Sequence, residues 1–410
     1  MQPFKLSLLD LSKAPGAGLL ADVQQQSAAL AALAGRLART FIVDSQWAPG
    51  FCCVGAEVAL SADQQQAYAA PRLSVTGSGE TLGAALVSCL GETADRLSDG
   101  ARPGDIRTRE APADAVTTGW IAQVIPQKQI EWIGAHDATT GADVVLPADL
   151  CIRRRPEQRI IEPVGALSAG VAAGPDFASA AVRAGLELCE RDAAALWWLG
   201  GKRPKAFPLE HPAAIAGATL IAALRQARTE RRTRLLDITT DLDVPVVAAV
   251  SLDRAGHGLA CGLSARLDWG DAARGAILEM CQMELAAPLS EAKRAERGES
   301  ALNDTDRRHL QRASFAASTC ELIQPSDLSA LAPPPSVAPD QLKDLAERLS
   351  GNGIRLLSVD LTRSDIGIAV ARMVSPDLQP YTGDVVTERL RRCRAEHNDA
   401  HLAVSAIPLM

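Results

Sequence analysis

Aromatic residues are scarce in this sequence of 410 residues, of which only 3% are Phe, Trp or Tyr. Proteins that bind single-stranded nucleic acids stack bases on aromatic side chains and attract phosphates with a basic surface. Here the formal net charge is -7 at pH 7, and the basic runs at residues 153–155 and 231–232 are short. The composition therefore argues against a nucleic-acid partner.

The sequence also lacks the cysteine spacing of a structural zinc site and any long apolar run. Its nine cysteines are scattered, and no Cys-x-x-Cys pair occurs among them. An odd number of cysteines indicates a reducing compartment. Lys5, Asp10 and Lys13 interrupt the apolar core that a signal peptide needs, and no run approaches the length of a membrane span. We expect a cytoplasmic protein with no membrane association.

Two common catalytic motifs are absent as well. There is no Gly-x-x-x-x-Gly-Lys-Ser/Thr loop, so phosphate binding of the Walker type is excluded. There is no Gly-x-Ser-x-Gly motif, and no Ser-His-Asp hydrolase site is indicated. His397 and His401 have the spacing of a helical metal pair, but no third ligand accompanies them. We interpret them as part of a solvated helix.

One stretch combines glycines with acidic residues. Residues 168–174 read Ser-Ala-Gly-Val-Ala-Ala-Gly, and an apolar helical pattern follows. Small residues and glycines allow a tight turn and a close approach to a ligand. Glu187, Glu190 and Arg191 are spaced to share one face of that helix, among apolar neighbours. Since buried acids are costly unless they are paired or hold a cation, this pattern alone fits an internal Glu–Arg pair and a cation site equally well.

A second stretch repeats the same arrangement. Residues 77–79 read Gly-Ser-Gly, and the small-residue helix that follows carries Glu92, Asp95 and Arg96. Carboxylates that converge from two helices repel one another unless a metal or a polycationic partner offsets their charge. Hard oxygen ligands of this kind suit Mg2+ on a polyphosphate. The duplication therefore favours a cation site and predicts that the two helices face a shared cleft.

The paired segments resemble the YcaO superfamily, which consists of ATP-using enzymes that activate backbone amides in peptides. In that family a Gly-Lys-Gly segment precedes an alanine-rich helix that ends in Glu-x-x-Glu-Arg. A Gly-x-Ala-x-Gly segment precedes a second helix with the same ending. A third stretch adds to the likeness, because residues 244–250, Gly262 and the helix with Glu279 and Gln282 resemble the family's later strand and its Glu-x-x-Gln helix. The resemblance covers roughly residues 70–380.

The resemblance implies an α/β fold of the YcaO type, with mixed or antiparallel sheets flanked by helices around a nucleotide cleft. It implies ATP and Mg2+ as cofactors. The implied metal ligands are Glu92, Asp95, Glu187 and Glu190. The implied catalytic residues are Glu187, Glu190 and Arg191. The residues implied in cofactor binding are Gly77, Ser78, Gly79, Ser168, Gly170, Gly174, Arg191, Glu279 and Gln282.

The implied activity is ATP-dependent activation of backbone amides in a ribosomally made precursor peptide. With a Cys, Ser or Thr side chain of the substrate as nucleophile, the product is a thiazoline or oxazoline, and we expect this azoline formation by cyclodehydration. Thioamide formation is the close alternative. A nucleotide-binding scaffold subunit without turnover is a second alternative, from a different functional class.

Four positions depart from the family pattern. Ser78 replaces the usual lysine, Asp95 replaces the second glutamate of the first motif, Pro175 replaces an asparagine, and Ser179 stands where many relatives carry a glutamate. The changes at Ser78, Asp95 and Ser179 put candidate phosphate and metal contacts in question and favour the scaffold alternative. The sequence ends Ala-Ile-Pro-Leu-Met, whereas azoline-forming members commonly end in Pro-x-Pro-x-Pro, which weakens the heterocyclase interpretation.

The pattern along the chain predicts three parts. These are a small N-terminal helix and strand layer (residues 1–66), a catalytic domain (67–385) and a C-terminal tail (386–410). Apolar runs predict strands over 120–125, 131–135, 143–146, 234–238, 245–252, 354–361 and 368–374. Helices are predicted over 271–287 and 340–350. Residues 290–306 are expected to form a mobile surface excursion, and residues 328–339 a proline-rich linker.

The expected partners are a precursor peptide and a second protein that binds its leader. This second protein is a cyclodehydratase component for azoline formation, or a TfuA-like protein for thioamidation, because residues 1–66 show no pattern of a leader-peptide clamp. Phe41, Ile42, Trp47 and Phe51 are candidates for an apolar docking face or for a homodimer contact. The alternative is that they pack on the main domain.

Overall fold

Three antiparallel sheets and twelve α-helices make up the part of the chain that the computed structural model describes, which is residues 5–13, 16–317, 320–329, 331, 340–397 and 409. The helices are α1 (Gly16–Gln26), α2 (Ala28–Ala34), α3 (Ala62–Tyr68), α4 (Leu82–Ser98), α5 (Ile121–Val124), α6 (Phe177–Trp198), α7 (Pro212–Arg225), α8 (Trp269–Glu284), α9 (Ala286–Arg297), α10 (Asp304–Ser314), α11 (Gln341–Gly351) and α12 (Glu388–His397). None of these helices is both long enough and apolar enough to cross a bilayer.

The strands are named in chain order. They are β1 (Leu6–Leu8), β2 (Leu37–Val43), β3 (Cys52–Ala59), β4 (Arg72–Gly79), β5 (Ile106–Thr108), β6 (Trp132–Asp137), β7 (Asp143–Pro147), β8 (Val171–Gly174), β9 (Lys205–Ala206), β10 (Arg231–Asp237), β11 (Val246–Asp253), β12 (Ala260–Ala265), β13 (Leu357–Asp360) and β14 (Ala369–Val374). The three sheets have the orders β1-β2-β3-β4, β12-β11-β10-β9 and β5-β6-β13-β14-β8, with β7 also paired to β6. The predicted fold class, antiparallel sheets flanked by helices, is confirmed.

Strand β11 shows how the sheets are buried on both faces. Its residues Val246, Ala248 and Val250 lie in one apolar core with helix α6, whereas Val247 and Ala249 lie in another with helix α8. Successive side chains of a strand point to opposite faces, so an uninterrupted apolar run of this length serves both cores. The second sheet is therefore enclosed between the two helices that carry most of the candidate site residues.

Two glycines allow strands to lie directly against helix backbones. A Cβ placed on Gly77 of β4 would lie 2.1 Å from the amide nitrogen of Cys89 and 2.2 Å from the carbonyl oxygen of Ala85, both on α4. A Cβ placed on Gly262 of β12 would lie 2.1 Å from the amide nitrogen of Met280 on α8. The sequence-based interpretation of residues 77–79 as a turn is wrong, because these residues belong to β4. Glycine is required there by close packing.

Other predicted elements differ in type. Residues 121–124, predicted within a strand, form α5. Ile121 in this helix is fully buried, and the indole of Trp120, just before it, donates to the carbonyl of Ser375 over 2.7 Å. An apolar run this short does not distinguish a strand from a helix. Residues 290–306, predicted as a surface excursion, lie largely in α9 and the start of α10. Lys293 links these helices through its contact of 2.6 Å with Asp306.

The predicted domain boundaries cut through packed structure, and the division into three parts stays a prediction. Residue 66 lies inside α3, and β4 completes the same sheet as β1 to β3. In α12, Arg389 binds the buried carboxylate of Asp192 on α6 at 2.8 Å. Residues 330 and 332–339 of the predicted linker lie outside the described residues.

The predicted apolar face near the N terminus is largely packed inside the molecule. Phe51 is only 4% exposed and lies in the same core as Phe207 and Trp269. Phe41 and Ile42 are half-buried and pack against neighbouring cores. The alternative, in which these side chains pack on the main domain, is therefore correct for Phe51. Trp47 remains half-exposed.

Replacing Gly77 by alanine should destabilise the protein by about 2–3 kcal/mol, because the new methyl group meets helix backbone that cannot move aside. The matched control is Gly91→Ala on α4, where a Cβ meets nothing within 4 Å. That change should stabilise the helix by up to about 1 kcal/mol. Urea unfolding of both variants measures the difference. Equal stability of the two variants would contradict the packing argument.

Candidate active site

Three strand–helix units bring the candidate residues together. Helix α4 follows β4, α6 follows β8 and α8 follows β12. Each helix begins at a residue whose side chain accepts a hydrogen bond from the first turn, namely Thr81, Asp176 and Asp268. Such caps satisfy amide groups that have no partner within the helix. The helix starts are thereby fixed, and so is the position of each acid farther along.

Arg191 lies at the centre of the site. Its Nη2 is 3.1 Å from Glu187 Oε1 and 3.5 Å from Glu190 Oε1. The charge of Glu279, on α8, also acts on this guanidinium. Burial disfavours the charged form of Arg191, yet the three carboxylates together raise its pKa above the ordinary value. One cation therefore joins acids from two helices.

Backbone amides hold the three glutamates in place. The N–H groups of Gly170, Ala265 and Leu263 donate to Glu187 at 3.0 Å, to Glu190 at 3.1 Å and to Glu279 at 2.9 Å. Hydrogen bonds to an ionised acceptor are shorter and stronger than neutral ones. Each carboxylate is thus oriented by a neighbouring loop or strand, and its side-chain conformation is restricted before any ligand binds.

Burial raises the pKa values of two of these glutamates. Burial, followed by the charge of Glu190, raises the pKa of Glu279 to about 7, although Arg191 and the Leu263 amide act in the opposite direction. Burial also raises the pKa of Glu190, against the effect of Arg191. The charge of Arg266 also favours the ionised form of Glu190, yet burial keeps the pKa of both acids raised. A bound cation would favour the ionised forms of these carboxylates.

Helix α4 contributes the remaining acids. Burial, followed by the charges of Glu92 and Glu187, raises the pKa of Asp95 well above its usual range. The Oδ1 atom of Asp95 is buried and has no hydrogen-bond partner among the described residues. Glu92 pairs with Arg96 at 2.9 Å. Asp95 of α4 is therefore close enough to Glu187 of α6 for their charges to interact, and a common metal site of the two helices stays a prediction.

The third helix is joined to the first unit by Gln282. Its side-chain amide donates to Thr76 Oγ1 of β4 over 2.9 Å. The charge of Glu279 interacts with those of Glu187, Glu190 and Arg191 on α6, and a shared role of Glu279 and Gln282 in cofactor binding stays a prediction. No signal in the sequence singles out Thr76, which lies directly before the recognised glycine segment.

Arg372, on β14, was also missed. It is 8% exposed, and its guanidinium donates to the carbonyl oxygens of Leu167 and Leu150, the latter at 2.8 Å. Its charge acts on Glu187. These two hydrogen bonds hold the segment before Gly170 against strand β14. The only signal in the sequence is a single arginine inside an apolar strand, far from the recognised motifs.

The glycine segment before α6 is a turn only up to Gly170, because Val171–Gly174 form strand β8. Gly170 has a φ of +80°, a conformation that L side chains rarely adopt, and the carbonyl of Ser168 accepts a hydrogen bond from Val171. Gly174 ends β8, where a Cβ would lie 2.6 Å from the amide nitrogen of Ala180. Ser78 lies in β4, opposite Cys53. Contact of these residues with a nucleotide stays a prediction.

The donors at this site fit Mg2+ that is shared with a phosphate ligand. Among the described residues, no three His, Cys, Asp or Glu side chains are grouped so that they could hold a metal ion. Mg2+ usually takes only one or two carboxylates and completes its coordination with water and substrate phosphates. The unpartnered oxygen of Asp95 and the carboxylates around Arg191 suit this mode of binding.

The two histidines with the spacing of a helical metal pair lie elsewhere. His397 contacts the Cys393 carbonyl, and His401 lies outside the described residues.

A protein-family model decides the identification. The model described as "YcaO cyclodehydratase, ATP-ad Mg2+-binding" matches residues 76–379, which include all three acid-bearing helices. The chain belongs to the YcaO family. The expected cofactors, ATP and Mg2+, are those of the family description. A search of the curated proteins found no significant match.

Solved YcaO structures share the fold of this chain. A heterocyclase in complex with substrate and cofactor is 21% identical, with a TM-score of 0.65 over 87% of this chain and 50% of that chain. This chain thus spans half the length of that heterocyclase. YcaO from Methanopyrus kandleri, bound with AMPPCP and Mg2+, is 19% identical, with a TM-score of 0.65 over 89% of this chain and 92% of that chain. The E. coli microcin synthetase McbBCD complex with pro-MccB17 bound contains a chain that is 17% identical, with a TM-score of 0.60 over 86% of this chain and 95% of that chain.

Replacing Arg191 by glutamine should destabilise the metal-free protein by about 3 kcal/mol at pH 8, because buried carboxylates lose their cation. The loss should be smaller at pH 5.5. Without Arg191 the pKa of Glu279 in the folded state rises further above its unfolded value, so stability falls as pH increases through that range. Urea unfolding at both pH values measures the effect.

The control is Arg183→Gln, on the same helix but exposed, where Arg183 donates only to the Ala173 carbonyl at 3.3 Å among the described residues. Its effect should be small at both pH values. A loss of stability in Arg191→Gln that does not depend on pH would contradict the role assigned to this guanidinium.

Proposed function

We propose that this YcaO protein uses ATP and Mg2+ to activate backbone amides in a ribosomally made precursor peptide, and that it forms thiazolines or oxazolines by cyclodehydration. ATP supplies the phosphoryl group that turns the amide oxygen into a leaving group, and Mg2+ offsets the charge of the phosphates. The protein's own residues bind, orient and neutralise charge. This requires no nucleophilic side chain of the enzyme.

The observation that carries this proposal is the shared acidic site of three helices. Phosphoryl transfer depends on positioning and on electrostatic stabilisation of the phosphate charge. The site provides carboxylates fixed by backbone amides, together with Arg191, in a setting where burial strengthens each charge interaction. A site built in this way suits a metal–polyphosphate ligand better than an uncharged one.

The proposed roles are those that the family resemblance implies. Glu187 and Glu190, with Glu92 and Asp95 from α4, would hold Mg2+ ions, with no more than two of these carboxylates on one ion. Arg191 balances the charge of the carboxylates and contacts phosphate. Glu279 and Gln282 border the nucleotide on the α8 side. The residues proposed to present backbone groups to the phosphates are Gly77, Ser78, Gly79, Ser168, Gly170 and Gly174.

Azoline formation is preferred over thioamidation because two of the similar structures are described as a heterocyclase in complex with substrate and cofactor and as the heterocyclase TruD. These likenesses lie near 20% identity and support the fold directly, so the product class is part of the proposal. A leader-binding partner protein is proposed as well, since the microcin synthetase chain is found in a multiprotein complex with pro-MccB17.

Phosphate release in the presence of ATP, Mg2+, peptide and partner should fall at least about a hundredfold in Glu190→Gln. Glutamine keeps the shape of the side chain and its contact with the Ala265 amide, but it removes the charge. The control is Glu347→Gln on α11, where the side chain is 60% exposed and, among the described residues, paired only with Lys343. Equal rates in the wild type and Glu190→Gln would favour a scaffold without turnover.

The product should be identified by mass spectrometry of the peptide. Azoline formation removes one water for each modified residue, whereas thioamidation exchanges an oxygen for a sulfur. We expect the loss of water with a peptide that contains Cys, Ser or Thr, and no change when these residues are replaced by alanine. A sulfur exchange that persists in the alanine peptide would replace the azoline proposal by thioamidation.

A further inference from the structure

A second cleft, of about 870 Å³, lies between the N-terminal sheet and α9. Its lining includes the loop after β2, the turn between α7 and β10, and one side of α9. None of the acids of the candidate active site lines it. Helix α8, which carries Glu279 and Gln282, leads directly into α9 through Leu285, and Leu285 also lines the cleft.

The apolar floor of this cleft is built around Trp47. The guanidinium of Arg231 lies 4.9 Å from the centre of the Trp47 ring, and the Trp47 carbonyl accepts a hydrogen bond of 3.2 Å from Arg225. Both arginines are fixed in turn by the fully buried carboxylate of Glu284. The Trp47 indole is therefore held in place at the floor of the cleft. A rigid aromatic ring is a favourable anchor for a peptide side chain.

The backbone next to the residues that line the cleft is also fixed. Gln226 and Ala227, at the turn after α7, have φ values of 47° and 66°, which non-glycine residues rarely adopt. A strained backbone of this kind persists where the surroundings hold it. Gly50, in the opposite loop, donates its N–H to the Leu224 carbonyl at 2.9 Å and binds that loop to the end of α7. The cleft is thus present before a ligand arrives.

The rim of the cleft is acidic. Asp44, Glu230, Glu291 and Glu296 line it, against two basic residues, Lys5 and Arg228. In the described part of the chain, Asp44 and Glu296 form no salt bridge. Glu291 pairs only with Arg294 along its own helix. An apolar floor with an acidic rim is complementary to an apolar side chain that has a lysine or arginine next to it.

The sheet edge beside the cleft favours an extended occupant. Lys5 directly precedes β1, which pairs only with β2 among the described strands. Leu6 and Leu8 are 56% and 70% exposed. An unpaired strand edge can accept a peptide as an additional strand. A chain that leaves the cleft past Lys5 therefore reaches free backbone groups and exposed apolar side chains.

We propose that this cleft binds an extended segment of the peptide substrate in which a lysine or arginine stands next to an apolar residue. The identification of the occupant as the substrate rests on the proposed function, whereas the binding chemistry does not. The cleft would hold a part of the peptide that is not modified, and it would place the peptide beside the helix pair that leads into the active site.

The test is a fluorescence titration of the full chain without nucleotide. The other five tryptophans are no more than 7% exposed, so Trp47 dominates any response to a bound peptide. The probe is the acetylated and amidated peptide Lys-Leu-Lys-Leu-Lys, and the matched control is Glu-Leu-Glu-Leu-Glu. We expect a saturable change with the basic peptide, which Trp47→Phe removes and which added salt weakens.

The double variant Asp44→Lys with Glu296→Lys should weaken binding of the basic peptide about tenfold or more, because attraction becomes repulsion at the rim. Glu347→Lys on α11 is the control and should bind like the wild type. No saturable change, equal binding of the acidic peptide, or unchanged binding in the double variant would overturn the proposal. So would self-association of the chain through this face in place of peptide binding.

The failure of this proposal is separable from failure of the proposed function. The titration needs neither ATP nor turnover, so a chain without amide activation still gives a result. Conversely, activity that persists with a normal KM in the double variant would reject the cleft as the substrate's binding site but leave amide activation standing. A raised KM with unchanged kcat is the expected outcome.

Discussion

The enclosure of Arg191 by three glutamates is the interaction on which the rest of this structure depends. Each glutamate would be costly to bury alone, and the guanidinium, the backbone amides and the surrounding loops together make their burial possible. Burial, followed by the charge of Glu190, raises the pKa of Glu279 to about 7. The fold thus holds carboxylates together in a fixed position, where a metal bound to a polyphosphate would favour their ionised forms.

The helices reach this arrangement because the sheets permit a very close approach. At Gly77 and Gly262 the strand backbone lies against the helix backbone, and no side chain fits between them. Caps at the start of each helix then determine which residue comes nearest to the site. The position of the acids is therefore a consequence of sheet–helix packing as well as of their spacing along the helices. This explains why three different helices supply residues to one location.

Much of this site could be predicted from the sequence, because its signals are local. The spacing of Glu187, Glu190 and Arg191 on an apolar helix indicates a buried charged face, and its repetition around Glu92 and Asp95 indicates convergence. Local patterns do not predict the element correctly where the same residue type is typical of two different structures. Glycine suits a turn and also a close contact, so residues 77–79 were assigned to a turn although they form a strand.

The remaining parts depend on contacts between distant segments. Arg372 supports the turn before Gly170 only because β14 pairs with β8, and no spacing within either segment shows this. The acidic cleft combines residues from the N-terminal loop, the turn after α7 and helix α9, which are far apart in the sequence. Residues 290–306 looked like a charged loop because their ion pair, Lys293 with Asp306, joins two helices across a bend.

The central claim is that the acidic site directs ATP to the oxygen of a peptide amide. The most direct measurement uses a precursor peptide that carries oxygen-18 at the carbonyl of the residue before the cyclised Cys, Ser or Thr, because that carbonyl loses its oxygen. The wild-type chain, with Mg-ATP and partner present, should transfer that oxygen to the released phosphate, with one labelled atom for each ring formed. Unlabelled phosphate released together with a modified peptide would contradict the account, because ATP hydrolysis would then not be coupled to removal of the amide oxygen.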